Sequence, residues 1–238
     1  MSPGSPGGDE DRETGAVAGG ARSVARWLRH LPARLLHPLR RRRARKRLEE
    51  TRPDGPVLFV CHGNICRSPY AEAVLRRRAR GRLEATSAGL MGPDRPPPET
   101  AVEVAGGRGV ELGGHRSRLV SPATLREAGL VVVMDPYQSA ELHRRHGFRR
   151  SFVLGDLDPE PVRRRAIRDP IFQPAAVFEE VYGRIDRCLE ELLDAMGLPG
   201  GPEGAGDEAE EADEGREDGD GALSRPGPET SDGGRERP

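Results

Sequence analysis

The residues of this chain whose types and spacing could do chemistry are Cys61-His62-Gly63-Asn64-Ile65-Cys66-Arg67-Ser68-Pro69. The apolar run Val57-Leu58-Phe59-Val60 precedes them and reads as a buried parallel strand. Tyr70-Ala71-Glu72-Ala73-Val74-Leu75 follows and reads as a helix, with Ser68 at its cap and Pro69 in its first turn. A tight loop between a strand and a helix N-terminus points successive backbone N–H groups at one anion, and the helix dipole adds to their pull. Arg67 offers a planar fork matched to two phosphoryl oxygens. Cys61, at the strand end under the same donors, is placed to hold a thiolate and attack phosphorus. His62, Gly63, Asn64, Ile65, Cys66 and Ser68 complete the phosphate-contacting loop. Gly63 and Asn64 tolerate the left-handed backbone such a loop needs. The bare Cys-x5-Arg spacing says little in an Arg-rich chain with three cysteines; the flanking strand and helix give it meaning.

Patterning places the elements that must hold this loop. Strands are expected at 57–61, 83–87, 130–134 and 151–154, and helices at 69–80, 98–108, 136–146 and 174–196. Alternating strands and helices imply an α/β fold: a parallel sheet with right-handed crossovers and helices on both faces. In such sheets ligands bind outside the carboxyl ends of the strands, where strand order reverses. The last helix is strongly amphipathic, with Val177, Phe178, Val181, Ile185, Leu189, Leu192 and Leu193 on one face. Cys188 within it is expected to be a core residue.

The run Val57–Pro69 resembles the signature of low-molecular-weight protein tyrosine phosphatases. Thr86-Ser87-Ala88-Gly89, Gly114-His115-Arg116-Ser117-Arg118, Val131-Val132-Val133-Met134-Asp135, Leu154-Gly155-Asp156-Leu157-Asp158-Pro159 and Asp169-Pro170 resemble later segments of that family, in the same order. The likeness spans residues 56–196 and implies a four-stranded sheet of order 2-1-3-4. It also implies a phosphatase acting on phosphotyrosine in proteins through a phosphocysteine intermediate, with no cofactor and no metal. Cys61 would be the nucleophile, and Arg67 the ligand of the equatorial oxygens. Asp169 would be the general acid, and then the base for the hydrolytic water. Asn64, Ser87 and His115 match positions that support the loop from beneath, and Asp135 resembles a carboxylate that anchors the loop region. Cys66, five residues after the nucleophile, could trap an oxidised Cys61 as a disulfide. The partners implied are phosphotyrosine proteins, including those of a bacterial-type tyrosine kinase.

Ile171 follows Asp169-Pro170 where phosphotyrosine-specific members carry an aromatic, and the loop Leu90–Arg95 also lacks one. Ring stacking on the substrate is therefore expected to be weaker, and whether Phe172 offsets the loss is left open by the sequence. Arsenate reduction on the same scaffold usually needs a mobile resolving pair of cysteines, and none lies between Cys66 and Cys188. Phosphoarginine phosphatases tend to carry Thr at the place of Ile65, so the apolar side chain favours phosphotyrosine. A catalytically weak phosphoprotein-binding module would need neither Cys61 nor Asp169.

Outside 56–196 the chain changes character. Residues 1–20 are Gly-, Ser- and acid-rich and read as a disordered arm. Residues 197–238 hold 13 Asp/Glu against 4 Arg, with Leu223 as the one sizeable aliphatic after Pro199, and read as an acidic disordered tail. The formal net charge of -1 therefore conceals a basic head and an acidic tail. Residues 21–55 form a basic amphipathic segment: Val24, Trp27, Leu28, Leu31, Leu35 and Leu39 recur at nearly helical spacing before the run Arg40–Arg47. Pro32 and Pro38 argue for two or three short helical pieces. Residues 21–47 can lie on an anionic membrane surface, pack on the domain or bind the acidic tail. Nucleic acid is disfavoured because no aromatics interleave the Arg run. No apolar run is long enough to span a bilayer. Three cysteines without a disulfide framework, one of them a nucleophile, suit a reducing, cytoplasmic setting, with peripheral membrane contact as its variant.

Overall fold

The computed structural model describes residues 34–198. The expectations for 1–20, for Trp27, Leu28, Leu31 and Pro32, and for the tail from 199 lie outside the described residues. β1 (Val57–Cys61) is buried along its whole length and runs between β2 (Ala85–Gly89) and β3 (Leu130–Val133), with β4 (Ser151–Val153) beyond β3. Every pairing is parallel and the order is β2-β1-β3-β4, as the resemblance implied.

Successive side chains of β1 serve two cores, as the strand period of two requires. Val57, Phe59 and Cys61 face the larger core, shared with α2 (Arg67–Ala79), α3 (Glu99–Gly107) and α6 (Ala175–Ala195). Leu58 and Val60 face the smaller one, shared with Leu125 of α4 (Pro122–Glu127) and Leu142 of α5 (Pro136–His146). Cys188 is fully buried in α6, beside Ile185 and Leu189.

Four differences from the expected elements have physical causes. β2 begins at Ala85 rather than 83; the first donor of β1 is Val57, because Pro56 has none, and it bonds Glu84 O, which sets Val57 opposite Ala85. α2 begins at Arg67, with Cys66 as an N-cap that makes no side-chain bond. Ser68 is therefore inside the helix, not its cap, and its hydroxyl is committed elsewhere. α4 was overlooked although its signal is in the sequence: Ser121 accepts from Thr124 N–H, Thr124 Oγ1 accepts from Ser121 N–H, and Pro122 opens the helix.

The fourth difference is the helix over 34–49, α1, which passes through Pro38 without a break. Pro38 forfeits only the bond to the carbonyl of residue 34, at the start of the described helix, and is itself exposed. α1 is docked on the domain. Leu48 is fully buried in the larger core, Arg41 pairs with Glu191 at 2.6 Å, and Arg45 pairs with Glu191 and, at 2.8 Å, with Asp194. Arg47 lies over the Phe152 ring at 4.1 Å. Leu35, Leu36 and Leu39 point the other way and are exposed.

Candidate active site

The loop after β1 wraps around the Cys61 sulfur. Asn64 N–H donates to Cys61 Sγ at 3.1 Å and the Ser68 hydroxyl donates to it at 3.0 Å. Asn64 makes the turn with a left-handed backbone, φ +52°, a conformation Asn adopts more readily than most residues. Its side chain is fully buried and fully used. Nδ2 donates to Ser68 Oγ (3.0 Å) and Ser87 Oγ (2.8 Å), and Oδ1 accepts from Arg118 N–H (2.8 Å). His115 Nε2–H donates to the Asn64 carbonyl at 2.8 Å. Asn64, Ser87 and His115 thus lie together beneath the loop.

Sequence reasoning missed three members of this support. Glu72, buried on α2 one turn after Ser68, accepts from the Ser87 hydroxyl at 2.5 Å and pairs with Arg76 at 2.9 Å. A carboxylate on the apolar face of an amphipathic helix was the available signal. Gly89 ends β2 against the loop, and a Cβ there would stand 3.0 Å from Asn64 Cβ, Asn64 N and the Gly63 carbonyl carbon. Arg95 clamps the outer side of the loop, donating to Gly63 O at 2.9 Å and Gly92 O at 2.9 Å.

Asp135 does not bond to the phosphate loop. Its carboxylate accepts from Tyr137 N–H at 2.8 Å and caps α5, while Gln138 Oε1 accepts from Asp135 N–H at 3.1 Å. An Asp three residues before Gln at a helix start satisfies orphan N–H groups, and that local demand takes the side chain. Asp135 still lines the cleft, of about 1090 Å³, whose wall includes His62, Arg67, Tyr137, Arg168 and Asp169. His62 is exposed, and Ile65 is half-buried against the larger core.

Arg67 is 4% exposed and joins the loop to the acid segment. Nη1 donates to Ile167 O at 3.0 Å and Nη2 pairs closely with Asp169 Oδ2, while Nε has no partner. Ile171 packs on the larger core, and Phe172 is 94% exposed with φ +59°. Burial, with Cys61 and Asp169 nearby, holds the Cys66 thiol far above the ordinary cysteine range. Cys188 is raised for the same leading reason, burial in α6. Among the described residues no group of three or more His, Cys, Asp or Glu is gathered as a metal site.

The family model for low molecular weight phosphotyrosine protein phosphatase matches residues 56–198. The chain belongs to that family. It is accordingly a phosphoric monoester hydrolase. Its relatives include the low molecular weight protein-tyrosine-phosphatase Etp of Escherichia coli K12, 34% identical over 136 residues, which are 57% of this chain and 90% of Etp. YfkJ of Bacillus subtilis 168, bearing the same description, is 36% identical over 146 residues, 58% of this chain and 92% of YfkJ. The solved structure of the tyrosine phosphatase Wzb from Escherichia coli K30 in complex with sulphate matches with a TM-score of 0.53 at 28% identity, over 60% of this chain and 97% of Wzb. YwlE arginine phosphatase from Geobacillus stearothermophilus, TM-score 0.54 at 24% identity over 60% of this chain and 93% of that one, shares the fold. The helix α1 lies outside the matched residues.

Proposed function

We propose that this protein hydrolyses phosphotyrosine in proteins through a phosphocysteine intermediate on Cys61. The bonding of Arg67 carries the reading: a buried guanidinium, tied to the Asp169 carboxylate, keeps an unpartnered Nε–H at the end of the loop that holds the Cys61 sulfur. A buried donor left unpaired costs about 1–3 kcal/mol, and a phosphoryl oxygen removes that cost. A bound phosphoryl group also competes with Asp169 for the guanidinium. It therefore frees the carboxyl group to face the leaving oxygen, while Arg67 stays anchored on Ile167 O.

The steps follow from this placement. Cys61 Sγ attacks phosphorus in line, the S–P bond forms and the P–O(aryl) bond breaks, while Asp169 gives its proton to the aryl oxygen. Loop N–H groups and Arg67 hold the three equatorial oxygens as charge builds on them. Water then attacks phosphorus, its proton passes to Asp169, the S–P bond breaks and inorganic phosphate leaves.

Phe172 supplies the aromatic that Ile171 does not. Ile171 faces the core, whereas Phe172 is offered to solvent beside the acid, on a left-handed backbone that a bulky side chain adopts only under strain. Apolar Ile65 supports phosphotyrosine over phosphoarginine. Substrates made by a bacterial-type tyrosine kinase fit this reading. A reducing, cytoplasmic setting fits a thiol nucleophile. Peripheral contact with an anionic membrane is supported by the outward face of α1, where exposed Leu35, Leu36 and Leu39 adjoin exposed Arg42, Arg43 and Lys46.

Asp169→Asn tests the mechanism. Turnover should fall about 10²–10⁴-fold for phenyl phosphate and much less for a dinitrophenyl phosphate, whose leaving group needs little protonation. Equal loss on both substrates would remove Asp169 from the acid's role.

A further inference from the structure

We infer that α1 belongs to the catalytic apparatus: His37 is a positioning residue that sets the acid segment through Asp158. This rests on the reading of Asp169 as the acid. His37 is 3% exposed, and its Nε2–H donates to the Asp158 carbonyl at 2.8 Å. A carbonyl oxygen only accepts, so this ring carries its proton on Nε2; Nδ1, also buried, has no partner. One short donor from α1 thus fixes the backbone of a residue 121 positions away.

The carboxylate of Asp158 is fully buried, and Arg184 of α6 holds it, Nε donating at 2.8 Å. The same guanidinium reaches the acid segment with its other two nitrogens: Nη1 donates to Ala166 O and Nη2 to Arg164 O, each at 2.9 Å. The next residue, Ile167, is pinned from both sides. Its N–H donates to Met134 O at 2.8 Å and its carbonyl accepts from Arg67 at 3.0 Å. Two residues later stands Asp169. The line from His37 to Asp158, Arg184, 164–167 and Asp169 thus runs through hydrogen bonds and short stretches of chain; the His37 bond is buried, those of Arg184 to Asp158 and Ala166 are partly buried, and that to Arg164 is exposed.

Direction along this line matters. Arg184 makes its three bonds with a planar fork, so a shift of the Asp158 carboxylate turns the guanidinium and moves both carbonyls with it. The loop that holds Cys61 meets this line only at Arg67, through Ile167 O and Asp169; its other supports are Asn64, Ser87, His115 and Glu72. Loss of the His37 bond should then loosen proton delivery more than anion binding, because the loop amides that face the anion are held from elsewhere. The arrangement also gives α1 a role at the site beyond the partly buried ion pairs that hold it to α6.

The experiment uses the full chain with His37→Ala, His37→Gln and Asp169→Asn. In each, kcat is measured for aryl phosphates of rising leaving-group basicity, together with inhibition by inorganic phosphate. His37→Ala should lower kcat about 3- to 10-fold for phenyl phosphate, a part of what a general acid supplies. It should change kcat little for a dinitrophenyl phosphate and shift the phosphate inhibition constant by less than it lowers kcat for phenyl phosphate. His37→Gln, whose amide can donate to the same carbonyl, should recover most of the loss. If Asp169→Asn shows the leaving-group dependence and His37→Ala does not, or loses equally on all substrates, the coupling is wrong. If Asp169→Asn itself shows none, the acid assignment has failed instead. Should His37→Ala not fold, hydrogen exchange in His37→Gln and Arg45→Ser replaces it: amides of 160–168 should exchange faster in Arg45→Ser, those of 62–68 should not, and His37→Gln should match the unaltered protein. Unchanged exchange over 160–168 in Arg45→Ser overturns the inference.

Discussion

Cys61 and Arg67 are held in place by groups that their own replacement would leave standing. Cys61→Ser keeps Asn64 N–H, the Ser68 hydroxyl and the loop amides, so phosphate or vanadate should still bind while turnover drops at least about 10³-fold. Arg67→Lys retains charge but cannot reach both Ile167 O and an equatorial oxygen, and most activity should go. Binding by calorimetry beside a turnover assay separates the two. Substantial turnover in Cys61→Ser would sink the phosphocysteine route. Cys66 invites a redox test. Peroxide should convert Cys61 to a sulfenic acid first, because the buried Cys66 thiol resists ionisation. Cys66 then attacks that sulfur, water leaves, and a Cys61–Cys66 disulfide forms that a thiol reductant reopens. Cys66→Ala should be inactivated with poor rescue, and peptide mapping that finds Cys61 joined to Cys188 would refute the pairing. Nucleophile, fork and loop are contiguous, so the flanking strand and helix pointed to this loop, while Asp169, about a hundred residues on, was reached through the family resemblance. Asp135 was misread because a helix start claims it, and a one-dimensional pattern does not show which neighbour wins.

At the scale of elements, the loop depends on how closely the end of β2 approaches it. Gly89→Ala sets a methyl group 3.0 Å from two backbone atoms and a Cβ that cannot swing aside. The variant should lose about 1–3 kcal/mol of stability, as overpacked sites do. It should also raise the phosphate inhibition constant, because relief comes most readily by moving Asn64. Chemical denaturation with a phosphate titration checks both, and unchanged phosphate binding would show that β2 yields instead. Glu72→Gln examines the same support from α2. The amide can still accept from Ser87 but no longer pairs with Arg76, so the loss should be small. Strand order came from the family resemblance alone, whereas the buried face of α6 and most helix spans were legible because they follow period and length. Glu72 and Gly89 were not: each matters through a neighbour distant in sequence, 15 residues away for Ser87 and 25 for Asn64. Pro38 misled for a different reason. Only one hydrogen bond is lost to it, and burial of Leu48 and three ion pairs with α6 outweigh that loss.

The whole molecule presents α1 in two directions at once. Its inner face enters the core through Leu48, while its outer face offers leucines and arginines to solvent. If that outer face meets a bilayer, the protein should sediment with anionic vesicles, weakly with neutral ones, and less as salt rises. The clean variant is Leu35→Ser/Leu36→Ser/Leu39→Ser, which touches only exposed side chains. It should abolish sedimentation and leave turnover of a small aryl phosphate unchanged; equal binding to both vesicle types, or none, would leave this face solvated. Excision of 21–47 cannot serve as that control, because it removes the anchors that seat α1.

The seat of Leu48 also bears on where this protein can be cut. A recombinant chain trimmed to the matched span, 56–198, would bare the hollow that Leu48 fills and uncover the Phe152 ring beneath Arg47. Loss of one buried leucine is worth about 2–5 kcal/mol, a large part of what holds a domain of this size together. The shortest piece that melts and behaves in solution like the full chain should therefore keep α1 from His37 onward, with its contacts through Arg41, Arg45, Arg47 and Leu48. The piece starting at 56 should melt earlier and self-associate through the bared patch, as light scattering on the two fragments would reveal.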